Sequence, residues 1–240
     1  MSEPVHRRIS EPHQSGTSSR LNWLRAGVLG ANDGITSTAG LVIGVAAANP
    51  ANTGAIFLAG AAGLVAGAAS MAVGEYVSVA SQRDSEQALI RLEKWELEHE
   101  PEEEFEELVG IYRQRGLSDA TARQVATELH SHDALGAHLD AELGIDPDEL
   151  TNPWAAAIAS AISFTLGALL PVLAVLLPPP EWRIITAFVA VLAALGLTGW
   201  LSAKLGKAIV WRAVVRMLIG GALAMAVTYG IGQLFGVSAG

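Results

Sequence analysis

The chain has 240 residues, of which 51% are hydrophobic and 16% are charged, and its formal net charge is −9. A soluble domain has about 25% charged residues, so this shortage predicts a membrane protein if the apolar residues form long runs. The sequence contains no cysteine, which excludes disulfides, thiolate metal sites and a cysteine nucleophile. Phosphate contacts need clustered Lys and Arg, and we therefore predict no nucleic-acid partner.

The charges divide the chain into two parts. Residues 84–149 contain 19 of the 24 Asp and Glu side chains but, with Arg83 included, only six of the 15 Lys and Arg side chains. This stretch therefore has a net charge of about −13, and the remainder of the chain has about +4.

Four regions follow from this division. Residues 1–24 are mostly polar and lack the apolar core of a signal peptide, so they are predicted to form a disordered tail. Residues 25–82 are predicted to contain two transmembrane helices, and residues 83–150 an acidic helical insert that binds metal. Residues 151–240 are predicted to contain three further transmembrane helices.

Five apolar runs reach the length of about 20 residues that a helix needs to cross a bilayer. The predicted fold class is therefore an all-α membrane protein with five transmembrane helices and a cytoplasmic helical insert between the second and the third. Five spans place 14 of the 15 basic residues on one side, which the positive-inside rule assigns to the cytoplasm. The N-terminus and the insert are then cytoplasmic, the C-terminus is outside, and the protein lies in the cell membrane. The runs cover roughly residues 26–48, 55–80, 153–177, 184–203 and 213–235.

Small residues are frequent in the first two runs, where glycines recur at a spacing of four. This spacing allows helices to approach closely. Two explanations remain open, namely packing within one chain and a dimer interface along the first spans. The pairs are Gly30 with Gly34, Gly40 with Gly44, and Gly63 with Gly67.

Two acidic side chains, Asp33 and Glu75, lie within the apolar runs. Placing a carboxylate inside the hydrocarbon core of a bilayer costs roughly 2.5–3.5 kcal/mol on insertion scales, so an acid within an apolar run is a candidate functional residue. Each acid is eight residues from an arginine at the cytoplasmic boundary, which places both about 12 Å inside it if the helices are antiparallel. Met71 lies one turn from Glu75 on the same face. Carboxylates with a thioether suit Fe²⁺ or Mn²⁺, and protons compete with the metal for the same oxygens.

A purely structural role for the two acids is the alternative. Asp33 would then cap or kink its helix near Gly34, and Glu75 would pair with a basic residue such as Arg216.

The insert is predicted to be a small bundle of amphipathic helices. The second transmembrane helix continues over residues 83–98 until Pro101 interrupts it, and a helix follows over residues 102–115. Ser118 is a good N-cap for a helix over residues 119–131. A last helix, over about residues 133–143, is predicted to end at Gly144.

Acidic residues in the insert recur one helical turn apart, which lets two side chains reach one cation. The pairs that matter are Glu93 with Glu96, Glu104 with Glu107, and His138 with Glu142. The alternative for any one pair is a solvated acidic face. The sequence contains neither HExxH nor the paired ExxH motifs of a di-iron bundle.

Four segments resemble motifs of the vacuolar iron transporter family. The resemblance is to the bacterial branch of that family and covers about residues 20–237. Two lie in the first and second spans, one at the end of the insert and one in the third span. They are GANDGIT at residues 30–36, ASMAVGEYVSVASQ at 69–82, DAELG at 140–144 and ALLP at 168–171.

The resemblance implies a homodimer that moves Fe²⁺, and often Mn²⁺, out of the cytosol in exchange for protons, with no covalent cofactor. It implies that Asp33 and Met71 line the translocation path. Plant members can have Gly in the position of Glu75. The insert departs from plant members at two positions. Gly110 stands where a plant ligand is Glu, and His138 stands where a Met occurs near the last ligand. The implied metal ligands are Glu93, Glu96, Glu104, Glu107 and Glu142.

Three functions are compared on this basis. A secondary transporter for metal homeostasis uses both the acidic bundle and the intramembrane acids. A membrane-anchored metal sensor or buffer needs the bundle but no ion path. A membrane enzyme is disfavoured, because all six histidines lie outside the spans and no paired metal motif is present.

Overall fold

The computed structural model describes residues 17–146 and 150–238, with side chains described within residues 26–146 and 150–236. Over these residues the chain forms seven α-helices and one π-helical turn, and no strand. In chain order the elements are α1 (Thr17–Ala48), α2 (Thr53–His99), α3 (Pro101–Gln114), α4 (Asp119–His138), the π-helical turn (Leu139–Leu143), α5 (Pro153–Leu176), α6 (Arg183–Leu205) and α7 (Val210–Ser238).

The prediction of an all-α chain with five apolar helices is confirmed. The helices α1, α2, α5, α6 and α7 are each long and apolar enough to cross a membrane. The second of them has 47 residues, which is about 70 Å at 1.5 Å per residue and more than twice the thickness of a hydrocarbon core. Its N-terminal half is the apolar run, and its C-terminal half continues to His99, as the sequence predicts.

The start of α1 differs from the sequence prediction. Residues 17–24, assigned above to a disordered tail, are helical, whereas residues 1–16 lie outside the described part of the chain. Gly16 is the last glycine or proline before the helix, and residues 17–25 contain neither. No helix-breaking residue therefore separates this segment from the first span, and the apolar residues Leu21, Trp23 and Leu24 are compatible with a helix that begins earlier.

The helix α1 lies at the centre of the bundle and packs closely against α5. A Cβ atom added to Gly34 would lie 2.2 Å from the carbonyl oxygen of Phe164, and one added to Gly167 would lie 2.3 Å from that of Ala31. Such contacts are possible only for glycine, so these residues set the distance between the two helices. The core continues through buried Ile43, Val175, Val191, Leu195 and Met225.

The other glycine pairs also serve contacts within the chain. Gly40 and Gly44 face Thr228 of α7. Gly63 faces the side chain of Leu41, and Gly67 faces the ring of Phe164. The glycine spacing thus reflects packing within one chain at these positions.

Arg183 connects two loops at one end of the bundle. It is only 5% exposed, and its guanidinium donates hydrogen bonds to the carbonyl oxygen of Pro50, to Thr53 Oγ1 at 2.8 Å and to the carbonyl oxygen of Pro178 at 3.4 Å. These acceptors compensate for burial of the charge. The α1–α2 and α5–α6 loops therefore share one end, as alternating spans require.

The insert folds as three helical segments around the end of α2. Leu108 and Val109 of α3 pack against Ala122 and Ala126 of α4 in a small apolar core. Ser118 caps α4, since its Oγ accepts a hydrogen bond from the Thr121 amide at 3.3 Å.

A break within α4 occurs close to where the sequence predicts a boundary between two helices. Asp133 has non-helical φ and ψ of −155° and 93°, and its carboxylate accepts a hydrogen bond from the Gly136 amide at 3.0 Å. Asp133 thereby acts as the N-cap of a second helical segment. This segment ends in the π-helical turn and at Gly144, whose φ is +63°, as predicted.

Candidate metal-binding sites

Four side chains from separate segments of the insert meet in one cluster. They are Glu93 of α2, Glu104 of α3, His138 of α4 and Glu142 of the π-helical turn. Each offers one ligand atom, and these atoms lie within 4.8 Å of one another. We call these four residues the insert cluster.

The local fold explains why the four residues converge. Because α2 continues beyond its apolar run, it presents Glu93 to the insert. The break at Asp133 and the π-helical turn change the direction of the chain, so His138 and Glu142 face the same point. Arg115 donates a hydrogen bond to the carbonyl oxygen of Ala141 and thereby attaches the turn to the end of α3.

The histidine lies at the centre of the cluster. Its Nδ1 is 2.9 Å from Glu93 Oε1, 3.4 Å from Glu104 Oε2 and 4.0 Å from Glu142 Oε2. His138 is completely buried, and Glu93 and Glu104 are 3% and 6% exposed. Burying carboxylates is costly when a single imidazole is the only basic group beside them, so this cluster is a candidate site for a cation.

Several atoms of the cluster have no hydrogen bond despite their burial. They are Oε1 of Glu93 and both ring nitrogens of His138. Although Glu93 Oε1 and His138 Nδ1 are close, they are not aligned as donor and acceptor. Carboxylate oxygens and an imidazole nitrogen directed at one point are suitable ligands for a divalent first-row metal.

Burial and mutual repulsion raise the pKa values of the carboxyl groups. Burial is the largest cause for Glu93 and, together with the charges of Glu142 and Glu104, raises its pKa to about 7. Burial and neighbouring carboxylates also raise the pKa values of Glu104 and Glu142. Burial, followed by the nearby His130, lowers the pKa of His138. Without a cation, the cluster therefore shifts the equilibria of its carboxyl groups toward the protonated form and that of its imidazole toward the neutral form.

Two other predicted ligands, Glu96 and Glu107, are not among the four that converge. Glu96 is half-buried and Glu107 is exposed. Both are close enough for their charges to raise the pKa values of Glu93 and Glu142. They therefore increase the negative potential at the edge of the cluster. Their assignment as metal ligands stays a prediction, as does that of the four residues in the insert cluster.

A second candidate site lies among α1, α2 and α5. Asp33 and Met71 line one cavity of about 240 Å³, together with Ser37, Thr38 and Ser70. We call this the bundle cavity. Asp33 is half-buried within the continuous helix α1. The cavity thus brings together a carboxylate, a thioether and three hydroxyls, and α2 joins it to the insert cluster.

Glu75 is half-buried but is not among the residues that line the bundle cavity. Neither Glu75 nor Asp33 has an ion-pair partner in residues 26–146 and 150–236, so the suggested pairing of Glu75 with Arg216 is not found there. Asp33 also does not break its helix. The simple structural roles considered for the two acids therefore receive no support.

Thr38 also lines the bundle cavity, although no sequence motif marks it. It is only 2% exposed, and its Oγ1 has no hydrogen bond. Ser and Thr hydroxyls within helices can bond to a carbonyl one turn earlier, as the exposed Ser37 does to Asp33 at 2.6 Å. The sequence contains no signal for this difference, because it depends on how α1 faces α2.

The chain is similar to a known protein family and to several named proteins. A sequence model described as the VIT family matches residues 24–233. A protein named vacuolar iron transporter from Acanthamoeba castellanii is 45% identical over 225 residues, which is 93% of this chain and 82% of the relative. Vacuolar iron transporter homolog 1 from Oryza sativa subsp. japonica is 43% identical, covering 91% of this chain and 76% of the relative.

Another plant protein matches over a similar share of the chain. Vacuolar iron transporter homolog 2 from Arabidopsis thaliana is 40% identical and covers 92% of this chain and 88% of its own length. These relatives come from an amoeba and from plants, and the assignment to a bacterial branch stays a prediction. Because the matches cover most of the chain at substantial identity, the chain belongs to the VIT family.

Proposed function

We propose that this protein is a proton-coupled transporter that moves Fe²⁺, Mn²⁺ or both out of the cytosol. The observation that carries the proposal is the bundle cavity, which Asp33 of α1 and Met71 of α2 both line within an apolar helix bundle. An unpaired carboxylate at that depth is costly unless it serves a cation or a proton. The names of the relatives refer to iron transport.

Coupling to protons follows from the chemistry of the proposed ligands. A carboxylate that binds a metal ion has to lose its proton first, so metal and proton compete for the same oxygen atoms. Protonation of Asp33 from the far side would release the metal there, and the return of the protonated site would carry a proton into the cytosol. We include Glu75 as a second proton acceptor of the path, at the depth predicted for Asp33.

The insert cluster is proposed to collect the metal before transport. It lies about 22 residues along α2 from Met71, or about 33 Å at 1.5 Å per residue. The insert's charge of about −13 raises the local concentration of cations. Glu96 and Glu107 are proposed to extend the site at its edge.

The orientation and assembly are also part of the proposal. The basic residues favour a cytoplasmic N-terminus and insert and an outer C-terminus, in the cell membrane for this chain, whereas its relatives' names refer to the vacuole. A homodimer is proposed from the resemblance to the family; α2 leaves apolar side chains such as Phe57, Val65, Val73 and Val77 uncovered within one chain, where either lipid or a second copy covers them. Transport breaks no covalent bond, and we propose neither an enzymatic activity nor a covalent cofactor.

Flux measurements in proteoliposomes test the proposal. Purified wild-type protein should take up Fe²⁺ or Mn²⁺ when the far-side compartment is acidic, and the lumen should become more alkaline as metal enters. Asp33→Asn removes the charge at nearly constant volume and should lower the flux at least about tenfold, the equivalent of 1.4 kcal/mol. The matched control is Asp84→Asn, an exposed acid on α2, which should transport normally.

Two results would contradict transport through this path. If Asp33→Asn transports metal at the wild-type rate, the bundle cavity is not part of the transport path. Metal binding without any flux in the wild-type protein would instead support the sensor or buffer, which needs the insert cluster alone.

A further inference from the structure

His130 lies beside His138, and both rings contain buried nitrogens without a hydrogen bond. The ring centroids are 5.9 Å apart, and the ring planes meet at 70°. The atoms concerned are Nδ1 of His130 and both nitrogens of His138. His138 Nδ1 faces the insert cluster, so its Nε2, at the opposite side of the ring, needs a partner of its own.

The break in α4 brings the two rings together. Eight residues separate His130 from His138, and a continuous helix would place them about 12 Å apart along its axis. Because Asp133 has extended backbone angles, the second segment turns and carries His138 next to His130. On another side, Phe105 of α3 meets the His130 ring edge-on at 5.7 Å and 90°.

A histidine that binds a metal through one nitrogen carries its proton on the other. That N–H almost always donates to a carboxylate, a carbonyl or water, and the hydrogen bond keeps the ligand nitrogen unprotonated and correctly oriented. His138 is completely buried, so bulk water does not reach Nε2. Among the described residues, Nδ1 of the adjacent His130 is a buried nitrogen without a hydrogen-bond partner.

We propose that His130 is a positioning residue for His138. Its Nδ1 accepts the His138 Nε2–H, which keeps His138 Nδ1 bare and directed toward Glu93, Glu104 and Glu142. Because the ring centroids are 5.9 Å apart, the bond forms only if one ring moves toward the other as well as rotating when metal binds. This inference rests on the proposed role of the insert cluster as a metal site, and it adds a residue that lies outside the four ligands.

Three variants of the full-length protein in detergent test the inference. All carry Asp33→Ala, so that the bundle cavity does not contribute to binding. His130→Phe keeps an aromatic ring but removes the acceptor, whereas His130→Asn replaces Nδ1 with an amide oxygen at a similar position. His138→Ala removes the ligand itself. Mn²⁺ is the probe, with affinity from titration calorimetry and coordinated nitrogen from pulsed electron paramagnetic resonance.

The inference predicts a specific pattern among these variants. His130→Phe should weaken Mn²⁺ binding about 10- to 100-fold, the usual effect of losing such a partner, and should reduce the nitrogen signal. His130→Asn should recover most of both. Wild-type affinity in His130→Phe, or equal losses in the Phe and Asn variants, would overturn the inference.

The His138→Ala variant separates this inference from the proposed metal site. If His138→Ala weakens binding but His130→Phe does not, the metal site stands and only the role of His130 is wrong. If His138→Ala binds Mn²⁺ like the parent, this histidine is not a ligand, and the role proposed for His130 fails with it; the carboxylate part of the metal site is then judged by Glu93→Gln. Melting temperatures of all variants identify any that lose affinity through unfolding.

Discussion

Glu93 is buried against one histidine and two further acids. In this environment its carboxyl group affects both the stability of the metal-free protein and the affinity for metal. Below its raised pKa of about 7 the group is protonated and compatible with its neighbours. Above it, the charge is stabilised only when a cation is present. Binding affinity and stability of the metal-free protein should therefore respond in opposite directions when the charge is removed.

Glu93→Gln tests this opposition. The amide resembles the protonated acid, so metal-free Glu93→Gln should melt at a higher temperature than wild-type protein at pH about 8, where repulsion is strongest. Its affinity for Mn²⁺ at the insert should fall at least about tenfold, since a charged ligand is lost. Calorimetric titration and thermal melting in detergent measure the two effects.

The matched control for Glu93→Gln is Glu103→Gln, which changes an exposed acid in the neighbouring helix α3. It should alter neither quantity appreciably. Equal losses of affinity in both variants would indicate that only total negative charge matters, and the insert cluster would then not be a defined site.

At the scale of elements, the close contact of α1 with α5 positions Asp33. Gly34 follows Asp33 directly, and its missing side chain lets the backbone of α1 touch that of α5 at Phe164. The same phenylalanine lines the bundle cavity. A change in the α1–α5 distance therefore alters the cavity as well as the core.

Gly34→Ala should destabilise the protein because its new Cβ atom would collide with backbone atoms rather than with a flexible side chain. We expect a cost of about 1–3 kcal/mol, typical of overpacking, with reduced metal flux. Gly220→Ala on α7 is the control, since nothing lies within 4 Å of its added Cβ.

In this control the substitution should be neutral or stabilising, because Ala favours a helix over Gly by about 1 kcal/mol. Thermal melting in detergent compares the two variants. Equal melting temperatures would show that α1 and α5 do not need this contact.

At the scale of the whole molecule, α2 joins a proton-sensitive insert to a membrane bundle. Because the pKa of Glu93 is raised to about 7, the folded, metal-free insert binds more protons than the unfolded chain between the ordinary value of 4.5 and about 7, and the raised pKa values of Glu104 and Glu142 act in the same direction. The free energy of unfolding of the metal-free insert is therefore higher at low pH and falls as pH rises through about 7. The lowered pKa of His138 has the opposite effect, but only below its ordinary value of 6.5.

Metal-free protein should consequently melt at a lower temperature at pH about 8 than at pH about 6.5. Mn²⁺ should reverse the trend, because the cation binds the deprotonated carboxylates and its affinity rises with pH. Melting curves recorded with a chelator and with Mn²⁺ at both pH values measure this. A metal-free protein that becomes more stable toward pH 8 would contradict the proposed protonation of the cluster.

The positions of the membrane helices and of the insert follow from the sequence alone. Twenty-residue apolar runs have few alternatives to a transmembrane helix, since the bilayer leaves no other way to satisfy the backbone. Likewise Pro101, Ser118 and Gly144 mark helix ends through local backbone chemistry, which neighbouring elements hardly change.

The composition of the two sites was decided by the tertiary structure. A spacing of one turn shows that Glu93 and Glu96 share a helix face, but not which of them meets His138, because that depends on where α3 and the break in α4 place their side chains. The same applies to the bundle cavity, which includes Thr38 but not Glu75. Helical periodicity determines which residues lie on a common face, whereas the neighbour of that face is determined by packing between helices distant in sequence.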